Sequence, residues 1–288
     1  MTLPTFLIIG AMKSGTTTLF HDLRKNQFIY IPDDKELNHL NSDAVLAPNG
    51  REKYESFFEK AGSNQCCGEA STSYTKLPNY AGVPLRAHET LGSNLKLIYL
   101  VRNPIGRLIS HYHHVLSAGV IDLQIDDAIH QYPDLINFSK YAMQLEPWIN
   151  QFGKDQLKII TFESFIQNRS NTLKSICKFL HVQQHAEQIQ ENIIYNKGEG
   201  KPVNHGVYKK FTKTWFYRSH IRPRLSLSLR NSFKRALFSK ASSKSKPSAD
   251  SINWAIEQLK SDMECFSSHM GGNLPWDFSS AVDLFGEK

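Results

Sequence analysis

Four cysteines in 288 residues are too few for a disulfide scaffold. Two of them, Cys66 and Cys67, are adjacent and cannot easily bridge each other, so all four are expected as free thiols. No stretch reaches the ~18 to 20 apolar residues that cross a bilayer. The N-terminus also lacks a charged leader and a cleavage site, because its apolar run, Thr5 to Ile9, already reads as the first strand. These absences imply a cytoplasmic chain. Acid is missing from residues 209–249, which hold twelve Lys or Arg; without them the net charge of +7 would become −5. No internal repeat is visible, and 288 residues with 40% apolar content suffice for one α/β domain with a substantial core.

What is present at the start is a strand feeding a glycine-flanked loop, Gly10-Ala-Met-Lys-Ser-Gly15, and then Thr16-Thr17-Thr18-Leu19, the opening of a helix. Such a junction aims successive backbone N–H groups and the positive end of a helix dipole at one point, which suits a phosphate. The glycines keep the Walker A spacing, but Thr16 and Thr17 stand where that loop requires Lys and then Ser or Thr. The cation lies inside the loop, at Lys13. A Walker lysine serves the β- and γ-phosphates and the next hydroxyl serves Mg²⁺. Moving the cation therefore points to a shorter donor, with one bridging phosphate, a transferable group and no essential metal. A glycine turn also has a purely structural use, so a second motif is needed.

It stands at residues 95–112. Leu95 to Val101 reads as a buried strand that ends in Arg102-Asn-Pro104 and continues as a helix through Ser110. Pro104 suits the first turn of that helix, with Asn103 as its cap. An arginine offers a forked, permanently charged donor to phosphate, and a serine one or two turns on adds a second contact.

The loop Lys13-Ser-Gly-Thr-Thr17 and the Arg102…Ser110 segment together resemble the sulfotransferases that use 3′-phosphoadenosine-5′-phosphosulfate (PAPS). The resemblance implies a P-loop-type three-layer α/β fold with a central parallel sheet flanked by helices, one domain over residues 1–288, and a basic insertion at about 209–249. It implies that Lys13, Ser14, Gly15, Thr16, Thr17 and Thr18 bind the 5′-phosphosulfate end of PAPS. Arg102 and Ser110 would bind the 3′-phosphate, leaving PAP, the 3′,5′-bisphosphate, as product. Thr18 occupies the place where a tryptophan stacks on adenine in the cytosolic branch, so another residue must stack the base. Lys35-Glu36 matches the Lys-Glu pair of the glycan branch, in which the Glu removes the acceptor's proton. The usual phenylalanines are replaced by Leu37 to Leu40, which leaves His39 as a rival base. Lys35, and Glu69 and Ser71 after Cys66-Cys67, are candidate substrate contacts, with a helix-capping acid as the alternative for Glu69. Lys197 and Lys201 are candidates for a lid over the nucleotide. The absence of the anchor found in Golgi relatives, in so compact a chain, favours a bacterial source.

The expected acceptor is a saccharide or glycan, with a lipid or secondary-metabolite hydroxyl second and an amine less favoured than a hydroxyl. For residues 209–249, an acceptor-binding arm, a patch on acidic headgroups at the inner membrane surface and a solvated insertion all remain open; no specific nucleic-acid motif accompanies the charge. His111 and His114 share a helix face but lack a carboxylate or cysteine beside them in sequence, so no metal is expected. Two other classes stay open: a P-loop kinase using ATP and Mg²⁺, for which Glu163 after a later strand is the available acid, and a noncatalytic anion-binding module. Helices are expected at Arg51–Ala61, Asn103–Ser117, Tyr141–Phe152 and Asn171–Leu180, with apolar helical spacing again at Ile252–Met263. A further buried strand is expected at Leu157–Phe162.

Overall fold

The computed structural model describes residues 3–182 and 245–276. In chain order its regular elements are β1 (Phe6–Gly10), α1 (Thr16–Leu23), β2 (Ile29–Tyr30), α2 (Pro48–Ser56), β3 (Cys66–Ala70), α3 (Val83–Leu91), β4 (Lys96–Val101), α4 (Pro104–Ser117), α5 (Ile125–Gln131), α6 (Asp134–Asn137), α7 (Tyr141–Phe152), β5 (Leu157–Thr161), α8 (Phe162–Gln167), α9 (Arg169–Phe179) and α10 (Ala249–Ser267), with short 3-10 turns between several of them.

The strands form one parallel sheet in the order β2-β3-β1-β4-β5. A parallel sheet needs cover on both faces, and the strand sequences supply it. Leu7 and Ile9 of β1, with Leu97, Tyr99 and Val101 of β4, join the core formed with α4, α7 and α10. Phe6 and Ile8, with Ile98 and Leu100, face the opposite core under α1 and α9. The α/β three-layer expectation is met.

Two polar devices fix the helices that matter to the site. Asp22 of α1 and Arg169 of α9, both buried, form a bidentate pair at 2.6 and 2.7 Å. Asp262 of α10 accepts from the N–H groups of Ala142 (3.0 Å) and Met143 (2.8 Å), capping the start of α7. The four cysteines are free. Among the described residues no helix is long and apolar enough to cross a membrane.

Candidate active site

In an open parallel sheet, ligands gather beyond the carboxyl ends of the strands. Here β1 runs into the loop at 10–15. The Ala11 N–H donates to the Leu100 carbonyl at 2.6 Å, which ties the loop to β4, and Gly15 caps α1 in a left-handed conformation, φ 89°. The first helical bonds of α1 run from the Thr18 and Leu19 N–H groups to the Gly15 carbonyl, at 3.0 and 3.2 Å, so the Thr16 and Thr17 N–H groups precede the ladder. Gly15 is needed sterically as well, because a Cβ there would meet the Phe162 ring at 2.6 Å. At the loop's other end a Cβ on Gly10 would lie 2.0 Å from Thr75 Oγ1, which itself donates to the Ile9 carbonyl. Lys13 adopts φ 71°, a conformation that costs a non-glycine residue on the order of 1–3 kcal/mol. Ser14 is fully buried with its hydroxyl beside that of Tyr141, which donates to the Arg102 carbonyl at 2.7 Å. Thr16 and Thr18 are buried; Thr17 is half-buried.

Arg102 leaves β4 next to this loop. Its guanidinium lies over the Phe162 ring, 5.0 Å from the centroid, so Phe162 backs Gly15 and Arg102 together. No carboxylate among the described residues pairs with Arg102. The Asn103 side chain caps α4 as expected, accepting from Ile105 and Gly106 N–H at 3.0 Å each. Arg102 Nε would be 3.4 Å from a Cβ at Gly106. Ser110 stands one turn beyond Gly106 in α4 and is half-buried. Glu163, the acid that a kinase would require, accepts from the Asn103 N–H at 2.9 Å with Oε1, and its Oε2 is buried.

Glu36 comes from the loop after β2 and is mounted on residues 70–75. Its N–H donates to the Ala70 carbonyl at 2.9 Å. Its carboxylate accepts from Thr72 N–H at 2.7 Å, from Thr72 Oγ1 at 3.1 Å and from the Lys35 ammonium. Glu36 (φ 64°) and Asn38 (φ 60°) share the left-handed conformation of Lys13. Such strain persists only where surrounding contacts over-determine it, and it clusters at functional sites. His39 lies elsewhere: its ring packs on Tyr54 and Phe57, with centroids at 5.4 and 5.3 Å. Burial, with Lys53 nearby, lowers its pKa.

The candidate substrate contacts Glu69 and Ser71 are both buried. Glu69 is 1% exposed and accepts hydroxyl protons from Tyr54, Ser71 (2.6 Å) and Tyr74 (2.6 Å). Burial raises its pKa above the usual carboxylate value despite these donors. Ser71, also buried, accepts from Asn38 N–H at 3.1 Å. Both residues support the Glu36 loop from beneath instead of meeting solvent. Sequence reading missed Thr72 and Phe162. The first had only the hydroxyl-rich run Ser71-Thr-Ser73 as a signal, and the second only an aromatic at a strand end. Lys197, Lys201 and most of the basic segment fall outside the described residues.

The family model for the sulfotransferase domain matches residues 3–244. The chain belongs to the PAPS-dependent sulfotransferase family. Among its relatives are the membrane-associated sulfotransferase kil1 of Dictyostelium discoideum, 36% identical over 143 residues (46% of this chain, 29% of that protein), and the heparan sulfate glucosamine 3-O-sulfotransferase 5 of Mus musculus, 26% identical over 211 residues (69% and 58%). The chain thus spans under two thirds of the length of these two relatives. In fold it is similar to a sulfotransferase from Alicyclobacillus acidocaldarius, with a TM-score of 0.66 at 18% identity over 95% of this chain and 98% of that one. PAPS is the donor of this family, and the residues fit it: a fully buried Ser14 hydroxyl, a glycine loop at a helix start and an Arg102 unpaired by any carboxylate among the described residues together offer donors to anionic groups.

Proposed function

We propose that the chain is a sulfotransferase that moves a sulfonate group from PAPS to a hydroxyl of an acceptor, a saccharide or glycan, with Glu36 as the base. The observation that carries this reading is the fixed Glu36 carboxylate, gripped by Thr72 and Lys35. It lies beyond the end of β3, the neighbour of the strand that opens into the Lys13 loop.

Bound at this edge of the sheet, PAPS would supply an activated sulfonate whose leaving group is the 3′,5′-bisphosphate. The loop N–H groups from Ser14 to Thr17, with the Thr16 and Thr17 hydroxyls, would hold the 5′-phosphate, and the Lys13 ammonium would follow charge growing on the bridging oxygen. Arg102 and Ser110 would hold the 3′-phosphate, with the Phe162 ring backing the guanidinium. A hydroxyl is a poor nucleophile until a positioned base takes its proton. Glu36 is the better candidate because its carboxylate is half-exposed and oriented, whereas the ring of His39 is packed against two aromatics. Lys35 orients Glu36. A glycan acceptor is supported by the Lys35-Glu36 pair and by the glycan in the name of the mouse relative. Lys197 and Lys201 as a lid, and contact of residues 209–249 with the acceptor or with an acidic cytoplasmic membrane surface, belong to the same proposal.

The test is calorimetric titration with PAP and, separately, with ATP and Mg²⁺, on the wild type, Lys13→Ala and Arg102→Ala. Metal-independent PAP binding, weakened most by Arg102→Ala, is expected. Binding of ATP with Mg²⁺ alone would refute the donor assignment and favour a kinase.

A further inference from the structure

Lys76 follows the hydroxyl run that holds Glu36, and its surroundings do not explain it as a structural lysine. It is half-buried, and its ammonium makes no hydrogen bond or ion pair among the described residues; its one close partner is the Phe138 ring, 5.9 Å from the centroid. Two carboxylates are near enough to act on it, Glu36 and Asp134, and both are engaged elsewhere. Glu36 is covered by Lys35 and Thr72, and Asp134 accepts from Asn79 Nδ2 at 3.0 Å. The remaining charged neighbours are cations, Lys35 and Arg107. Arg107 is fully buried; among the described residues its side chain bonds the Ser139 hydroxyl (2.7 Å) and the Leu135 carbonyl (2.6 Å), and its Nη1 has no partner. Three cations against two carboxylates leave this region positive. The chain neighbour of Lys76, Thr75, donates to the Ile9 carbonyl where β1 enters the Lys13 loop, and Thr72 of the same run holds Glu36, so Lys76 follows a segment that touches both.

A desolvated cation without a counter-ion is costly, and such sites are completed by an anion. We propose that Lys76 is an oxyanion-binding residue of the active site, its ammonium holding oxygens of either the donor's sulfonate or an anionic substituent on the acceptor. The proposal rests on the sulfotransferase reading for the identity of the anion. Burial lowers the pKa of Lys76, so its hold on the anion should weaken at alkaline pH before that of an exposed lysine.

The test compares wild type, Lys76→Met and Lys76→Arg by calorimetry at constant ionic strength. PAP, which lacks the sulfonate, should bind all three within about twofold, showing that the fold and the nucleotide site are intact. Inorganic sulfate titrated onto PAP-loaded protein reads the donor source, and a sulfated saccharide titrated onto protein loaded with PAP and sulfate reads the acceptor source. Loss of a charge-assisted contact should weaken one of these titrations by about tenfold or more in Lys76→Met, with Lys76→Arg recovering most of it. The titration that falls identifies the source. Equal affinities of wild type and Lys76→Met in both would overturn the proposal. Failure of PAP to bind the wild type would count against the donor assignment alone, and sulfate titrated without PAP would still decide Lys76 by the same comparison.

Discussion

Acidification should destabilise this protein through His111 before it titrates most of the carboxylates. The ring is 2% exposed and stacked on Phe138 at 5.5 Å with an interplanar angle of 18°, and its Nδ1 has no hydrogen-bond partner. Burial is the main cause that drives its pKa from 6.5 down to about 2, and the groups acting on it, Arg107, Lys76, His114 and Lys13, are all bases that add to the effect. The folded protein therefore keeps this imidazole neutral across the acid range, while the unfolded chain protonates it below 6.5. Between those values the unfolded state binds more protons, so stability is full above about 6.5 and is lost as pH falls. The loss approaches about 1.4 kcal/mol per pH unit, or roughly 1.4 kcal/mol between pH 7.5 and 5.5 and nearly twice that by pH 4.5. Urea unfolding at these three pH values, on the wild type and His111→Phe, measures it. Phenylalanine keeps the ring stack and cannot titrate, so the comparison lies in the slope with pH and is independent of any constant offset from repacking. An identical acid slope in His111→Phe would refute the argument and assign the titration to other groups.

Three further substitutions probe the site and its supports. Glu36→Gln should lower kcat by about 10²- to 10⁴-fold while PAP affinity, measured calorimetrically, stays within about twofold. Asp22→Ala leaves Arg169 buried with its main counter-charge gone and should cost about 3 to 5 kcal/mol in urea unfolding, a change of under 1 kcal/mol being the contrary result. Glu69→Gln replaces an acceptor of three hydroxyl protons with an amide that offers one oxygen. It should destabilise by about 1–3 kcal/mol and lower kcat more than it weakens PAP binding, as steady-state kinetics beside calorimetry would show.

What was legible in the sequence is what local rules decide. β1 and β4 announce themselves as apolar runs buried on both faces, and α7 matches its expected span, Tyr141–Phe152. The Asn103-Pro104 start of α4 follows from capping chemistry alone. Boundaries drifted where a cap or a tertiary contact overrode periodicity. α2 begins at Pro48, a residue favoured in the first turn, and stops at Ser56 instead of reaching Ala61. α9 starts at Arg169, two residues before the expected Asn171, with that side chain paired to Asp22. α10 starts at Ala249 because Ser248 caps it. The glycine loop at 10–15 was readable as a strand-to-helix junction because one contiguous segment forms it. Glu69 was not, because its partner Tyr54 lies fifteen residues away in sequence and only the fold brings the hydroxyl to the carboxylate.

The two ends of the site are held by different physics. The donor end is backbone: a loop bonded to β4, a helix start and a glycine pressed against Phe162, so its geometry is inherited from the sheet. The base end is a stack of side-chain hydrogen bonds rising from one buried carboxylate. Glu69 takes the Ser71 and Tyr74 hydroxyl protons, which turns those oxygens outward as acceptors for the N–H groups of Asn38 (3.1 Å) and Leu40 (3.4 Å). Asn38 in turn donates to the Glu36 carbonyl at 2.6 Å, and Ser73 binds Asn38 and Asn41 from the same run. A left-handed glutamate would relax to an ordinary conformation without such restraint. A buried carboxylate thus orients the residue proposed as the proton acceptor, and the polar groups of residues 69–75 act together as one hydrogen-bonded network.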